Sequence, residues 1–336
     1  MDAIKQVVGI DISKDTLVVC YGVQAVSQDQ AISRSATFSN DRKGHSTLLH
    51  WALKVRRSKQ LELWFIMEAT GVYYENLAYF LSAQKQRVVV LLPNKTKNYV
   101  RTLNTKTKTD PVDARMLTQY GLERPLSAWD VPSPILKDLK SLTREYQTVQ
   151  QMLTRIRNQQ HAKDNSYAPL KETLGRLQLQ IRLLTTQQQQ IKDQMLALVQ
   201  SDPTLHEKTE RIARVNGLGI MTVLTIVAET NGFAIIENGK QLASYAGLDV
   251  VQNQSGLHRG KTVISKKGNK FLRHAVYMPA MASCRYNSRF KQFYERLIQH
   301  NKPKKAAMTA VSRKLLILVY TLWKSDAEYI PNYQNT

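Results

Sequence analysis

The stretch VVGIDISKDTLVVCY, residues 7–21, decides how the first part of the chain folds. Val7 to Ile10 is a short apolar run, and Thr16 to Tyr21 is a second run rich in β-branched residues. Ser13, Lys14 and Asp15 lie between them, residues that favour a tight turn, so the two runs are expected to be hairpin strands. Outward from there, a third strand is expected at Ala36 to Phe38 and a helix at Gly44 to Val55. Leu63 to Met67 reads as a buried strand ending in Glu68, Tyr74 to Gln84 as a helix, and Arg87 to Leu92 as another buried strand stopped by Pro93. A hairpin followed by strand–helix units predicts an α/β domain with a mixed sheet over residues 1–130.

From Ile135 the period changes. Ile135, Leu139, Leu142, Tyr146, Val149, Leu153 and Ile156 repeat at alternating spacings of four and three, a heptad seam. Asn165 to Pro169 interrupts it, and Leu170, Leu174, Leu177, Ile181, Leu184, Gln188, Ile191, Met195 and Leu198 resume it. Two long helices joined by a turn are expected over 131–202, as an αα-hairpin or coiled-coil arm. Such an arm either packs on itself or dimerises through the same seam, with Gln188 as a register device. Ser201, Asp202 and Pro203 close it, and a helical domain is expected over 203–336. Within that domain VNGLGIMTVLTIVAE, residues 215–229, has the helix, Gly-x-Gly turn and helix of a helix-hairpin-helix. Its turn amides and second helix N-terminus suit a DNA phosphate.

The 336 residues allow two or three domains, and 43% hydrophobic residues suffice to fill their cores. Lys+Arg 48 against Asp+Glu 26 leaves +22, which points to a polyanionic partner. Sixteen Lys or Arg and one acid, Glu295, fall between Ser255 and Lys324, so this segment carries most of the surplus. There the cations alternate with Phe271, Tyr277, Tyr286, Phe290, Phe293 and Tyr294, a pattern that favours a nucleic-acid surface over a merely solvated face. Cys20 and Cys284 are too few for a disulfide framework, and no CxxC or HxxxH spacing offers zinc. The apolar runs Val88 to Leu92 and Leu315 to Tyr320 fall short of the ~20 residues of a bilayer span. The start does not read as a signal peptide, so a soluble, cytoplasmic, nucleoid-associated protein is expected, with no membrane partner.

Four acids stand out by context. Asp11 follows the first strand, Glu68 ends a buried strand in WFIMEATG, and Asp110 and Asp113 lie three apart in KTKTDPVDAR. If a helix begins near Pro111, the last two share one face. Convergent carboxylates repel unless a divalent cation neutralises them, and bridged magnesium ions polarise a phosphodiester. The plainer readings are a surface pair of Asp113 with Arg115 and a helix cap at Asp110. Asp11 and Glu68 are harder to dismiss, because an unpaired carboxylate at the end of a buried strand is costly. A GxDxxK start also occurs in actin-like sugar kinases, but those need Gly-rich phosphate loops, and 14 glycines in the whole chain supply none. The RNase H or RuvC-like nuclease fold remains.

The segments GIDISKD (9–15), MEATGVY (67–73), KTKTDPVDARML (106–117), the arm, VNGLGIMTVLTIVAE, LASYAGLDV (242–250) and ISKKGNKFLRHAVY (264–277) occur in this order. Together they resemble the DEDD-type insertion-sequence transposases, also called bridge recombinases, over nearly the whole chain. The resemblance implies a RuvC-like domain carrying an acidic tetrad that binds Mg2+, at Asp11, Glu68, Asp110 and Asp113. It implies a C-terminal transposase domain with a nucleophilic serine, matched by Ser255 in NQSGLHRG, where Leu257 and His258 depart from the small polar residues many relatives carry. By itself Ser255 reads as a plain loop serine. Donor and target double-stranded DNA, a structured guide RNA and a homo-oligomer, a dimer that becomes a tetramer on DNA, are the implied partners. Arg259, Lys261, Lys266, Lys267, Lys270 and Arg273 are the candidate nucleic-acid contacts near that serine.

The expected activity is therefore DNA cutting and rejoining through a covalent phosphoserine and a four-way junction. Two other classes stay open. A hydrolytic junction nuclease needs the carboxylates but not Ser255, and a non-enzymatic nucleic-acid binder needs only the basic block. A tyrosine recombinase fits poorly, since no Arg…His-x-x-Arg…Tyr series stands out among fifteen tyrosines.

Overall fold

The structure is a computed structural model that describes residues 3–103, 107, 109–252, 254–256, 258–260 and 262–330. It divides into two compact units, Met1–Val131 and Pro132–Thr336.

In the first unit, β1 (Ala3–Ile12) and β2 (Thr16–Ala25) pair antiparallel through Val8↔Tyr21 to Ile12↔Leu17. The turn between them is closed by the Ser13 N–H, which donates to the Thr16 carbonyl at 2.9 Å. Two short strands, β3 (Gln30–Ile32) and β4 (Ala36–Ser39), pair antiparallel with β2 on its other edge. Helix α1 (Arg42–Val55) starts where the Asp41 side chain accepts from the Gly44 N–H at 2.7 Å. Strand β5 (Leu63–Glu68) then runs parallel to β1, and after helix α2 (Glu75–Ala83) strand β6 (Arg87–Leu91) runs parallel to β5. The sheet order β3-β2-β1-β5-β6, with β4 also on β2, is the mixed sheet expected.

Pro93 does end β6, but it also opens α3 (Pro93–Thr102), where its missing N–H costs nothing in the first turn. No apolar periodicity in the sequence marks this helix. Helix α4 (Asp110–Glu123) follows, with Thr109 as its N-cap. Strand alternation sorts the two faces. Val8, Ile10, Phe65 and Met67 point toward Leu48 of α1 and Leu77 and Leu81 of α2. Val7 and Ile66 point the other way, into a core with Leu117 and Leu122 of α4.

Among the described residues, the second unit is helical apart from two short antiparallel ladders between residues 250 and 264. α5 (Pro134–Asp164) and α6 (Lys171–Gln200) lie side by side, and seam residues Leu139, Val149, Ile191 and Met195 enter one core cluster. Gln188 donates to the Gln150 side chain across the pair. That cluster continues into the body, so the base of the helix pair is part of the domain core. α7 (Pro203–Ala213), α8 (Ile220–Glu229) and α9 (Gly239–Tyr245) follow, then α10 (Lys270–Tyr286), α11 (Ser288–Gln299) and α12 (Lys304–Ser325). α8 supplies Val223, Leu224, Ile226 and Val227 to the core, each roughly 1.5–3 kcal/mol of burial relative to exposure. α12 has the length and composition of a membrane span, which run lengths alone had not suggested. Its Val311, Leu315, Leu316 and Val319 are fully buried in a helix that packs against α10, α11 and α9, so it is the core helix of this unit.

Candidate active site

The position of α4 on the sheet determines where the acids lie. β1 has Gly9 where a side chain would collide with the helix: an added Cβ would stand 2.4 Å from the Thr118 backbone nitrogen and 2.5 Å from the Ala114 carbonyl. Thr118 turns this approach into a bond, accepting from the Gly9 N–H at 3.1 Å, and its one hydroxyl proton is shared between the carbonyls of Cys20 and Ala114, each 2.9 Å away. Further along, Gly121 rests on Val7 and Ile66. The helix thus runs back along β1, and its first turn comes to the end of the strand.

Asp11 is two residues beyond Gly9, on the same face of β1. Glu68 is two beyond Ile66 on β5, and both lie one residue past the last matched pair, Ile10↔Met67. Asp110 and Asp113 occupy the first turn of α4. The sequence reading offered Asp110 as a helix cap, but the N-cap is Thr109. All four carboxylates share one electrostatic field. Asp11 is pushed up to about 6, first by burial, then by the charges of Asp113, Asp110 and Glu68, against a backbone N–H from Ile12.

Glu68 is held by two hydroxyls. Thr70 donates to one oxygen at 3.1 Å, and Thr96 of α3 donates to the other in a short contact. Thr96 is buried and was not legible in the sequence, because the helix carrying it was not anticipated. Among the described residues, no three His, Cys, Asp or Glu side chains close into a ligating cage. The donor set nevertheless suits a hard divalent cation: all oxygen, all anionic, and mutually repelling without one.

In the second unit, Ser255 lies near the tip of a β-hairpin. Val250 and Val251 of β7 (Val250–Val251) pair with Ile264 and Val263 of β10 (Val263–Ile264). Further out, Gln254 and Ser255 of β8 (Gln254–Ser255) pair with Arg259 and His258 of β9 (His258–Arg259). The basic loop expected from the sequence is therefore a pair of short ladders. Ladders of two residues are too short to show alternation, so the hairpin left no periodic signal. Ser255 is exposed, and Gly256 after it adopts φ +54° to make the turn.

The hairpin base is fixed. Ser265 N–H donates to the Asp249 carbonyl at 2.9 Å, and its hydroxyl donates to the Asp249 carboxylate. At Gly268 (φ +155°) a Cβ would stand 2.5 Å from the Tyr245 carbonyl, so only glycine lets the chain close there. Lys266, Lys267 and Lys270 are exposed. Arg273 is not a free cation: it donates to the carbonyls of Ala246 (2.8 Å) and Gly268 (3.4 Å). With Lys270, His274, Tyr277 and Lys305 it lines a groove of about 460 Å³. Lys261 lies outside the described residues.

Behind the hairpin is a buried carboxylate not singled out in the sequence. Glu229, at the end of α8, is 1% exposed and accepts two bonds from Arg144 of α5 (2.7 and 3.0 Å) and one from Asn269 (2.7 Å). Asn269 also caps α10, accepting from the N–H groups of Phe271 (2.9 Å) and Leu272 (3.2 Å). One carboxylate therefore ties α5, α8 and the start of α10 together, immediately after the serine-bearing hairpin.

Two family models match the chain. One, described as "Transposase" and built on DEDD-type IS110 enzymes, covers residues 8–169, and one described as "Transposase IS116/IS110/IS902 family" covers residues 209–295. The pilin gene-inverting proteins of Moraxella bovis and Moraxella lacunata are each 28% identical over 328 residues, 97% of this chain and 98% of theirs. The insertion element IS900 uncharacterized 42 kDa protein of Mycobacterium paratuberculosis is 26% identical over 136 residues, 40% of this chain and 34% of that protein.

Proposed function

The chain belongs to the IS110 family of insertion-sequence transposases and is a DNA recombinase; from that premise we propose that it cuts and rejoins DNA through a covalent bond to Ser255, directed by a structured guide RNA. Residues 1–130 are the metal-binding nuclease-like domain, 131–202 the arm, and 203–336 the domain that carries the serine and most DNA contacts. Asp11, Glu68, Asp110 and Asp113 would hold magnesium, which when bound neutralises phosphate charge and polarises the phosphodiester. The observation that carries this reading is the placement of Asp11 and Glu68 at the ends of paired strands and of Asp110 and Asp113 in the first turn of α4, where burial and then the charges of the other three push Asp11 up to about 6.

The protein's own groups do the rest. The Ser255 hydroxyl, exposed on its hairpin, is free to reach a DNA backbone. Its Oγ bonds to phosphorus as the bond from phosphorus to one sugar oxygen breaks. The serine gives up its proton and the leaving sugar oxygen gains one. A sugar hydroxyl from the strand to be joined then attacks the same phosphorus, and the serine oxygen leaves. One phosphoester replaces another at each step, so no energy cofactor is needed. Lys266, Lys267 and Lys270, exposed just after the hairpin, supply positive charge for the phosphates, and Arg259 and Lys261 are the further candidates from the sequence. A pilin gene-inverting protein is named for DNA rearrangement, which supports strand exchange over simple hydrolysis.

The test is strand exchange on supercoiled DNA carrying both junctions, with guide RNA and magnesium. Ser255→Ala and Asp11→Ala are each expected to abolish joined product while the nucleic-acid complex survives in a mobility shift. Cutting at the wild-type rate by Ser255→Ala would replace this reading with a hydrolytic nuclease. Undiminished exchange by both Asp11→Ala and Glu68→Ala would remove the carboxylates from the site.

A further inference from the structure

Helix α11 places Arg289, Phe293 and Arg296 at spacings of four and three, on one face. α12 packs against it and lays Lys314 across the same ring: its Nζ is 4.3 Å from the Phe293 centroid, and the Arg296 Cζ is 5.4 Å from it. Lys314 is half-buried, while both arginines are exposed. Burial holds the Lys314 ammonium below its ordinary range, and the charges of Arg289 and Arg296 lower it further, so the three cations feel one another. Among the described residues none of the three makes an ion pair, and neighbouring Glu295 makes none with them.

Such a cluster is unfavourable in the free protein. Like charges repel, and a half-buried ammonium has lost part of its hydration. The ring face offsets some of this through cation–π attraction and holds Lys314 and Arg296 in place. An anion between the three groups removes the repulsion. Two guanidiniums present forked donors that match phosphate oxygens, and the ammonium adds a point charge.

We propose that Arg289, Arg296 and Lys314 form a phosphate-binding site for a nucleic-acid backbone, with Phe293 as its floor. The reading of the chain as a recombinase supplies only the identity of the ligand. The site lies outside the hairpin and the residues that follow it, and it positions a strand without reading bases.

The experiment measures binding of full-length protein to a linear duplex DNA and to a folded RNA hairpin over a range of salt. Arg289→Gln, Arg296→Gln and Lys314→Met are each expected to flatten log K against log salt, by ~0.9 per lost contact on the duplex. Flattening on the DNA assigns the site to donor or target, and flattening on the RNA assigns it to the guide. Lys314→Arg keeps the charge and should keep the wild-type slope. Slopes unchanged on both probes in folded variants would overturn the proposal. So would a Lys314→Arg that falls as far as Lys314→Met, since charge would then not be the agent. The slopes are read without cutting or joining, so failure of the serine mechanism and failure of this site are told apart.

Discussion

Asp11 makes the first unit sensitive to pH in a definite direction. Its carboxyl is about 6 in the folded protein against 3.8 for the ordinary group, so between those values the native state holds a proton that the unfolded chain has released. Stability of the metal-free protein is therefore greatest below about pH 4 from this group, and it falls as pH rises through 6. Melting curves of metal-free protein across that window should show the decline, and Asp11→Asn should flatten it. Magnesium competes with the proton, so its stabilising effect should grow as pH rises from 5 to 7. A Tm independent of pH in both proteins would mean that the Asp11 carboxyl is not raised by burial and its acidic neighbours. Glu229 gives a second residue-scale prediction. Removing one partner of a buried ion pair costs about 3–5 kcal/mol, but Arg144 is 44% exposed and can rehydrate. Glu229→Ala should therefore lower stability by roughly 2–3 kcal/mol, read from the urea midpoint. Glu229 was in plain view at the end of the apolar helix IMTVLTIVAE, the same signal that singled out Glu68 at the end of a strand. Its partners Arg144 and Asn269 are 85 and 40 residues away, and no local pattern joins them.

At the scale of elements, long periodic segments were legible and short ones were not. β1, β2, β5 and β6 declared themselves through apolar runs, and the convergence of Asp11 and Glu68 follows from their parallel register. α3 was hidden by reading Pro93 only as a stop, which also hid Thr96 and its bond to Glu68. Thr96→Val should leave Glu68 held by Thr70 alone and reduce strand exchange several-fold at unchanged DNA affinity. Equal rates for the variant and the wild type would make Thr96 a packing residue only. The helix pair shows what a heptad can and cannot specify. Leu139, Val149, Leu153, Leu177, Ile191 and Met195 of its seam are buried within one chain and most of the others are half-buried, so a second copy would have to meet another face. Leu179 and Leu183, four apart on α6, are 64% and 59% exposed and offer one. If the oligomer forms there, Leu179→Glu with Leu183→Glu should shift sedimentation toward monomer at unchanged Tm. An unchanged mass would place the subunit contact elsewhere.

For the whole molecule, the order of the motifs said more than any one of them. The pilin gene-inverting proteins align over 97% of this chain at 28% identity, so the similarity runs through both units and not through one motif. The net charge of +22 makes every binding measurement depend on salt, so affinity by itself does not separate a recombinase from a passive binder. A covalent bond to one side chain does. The decisive measurement is a denaturing gel of the protein with end-labelled DNA, guide RNA and magnesium, followed by peptide mapping of any protein-linked species. The prediction is a DNA adduct on the peptide containing Ser255 in the wild type, absent from Ser255→Ala although that variant still shifts DNA in a native gel. Joined product with an adduct that persists in Ser255→Ala, or free DNA ends with no adduct in the wild type, would contradict it.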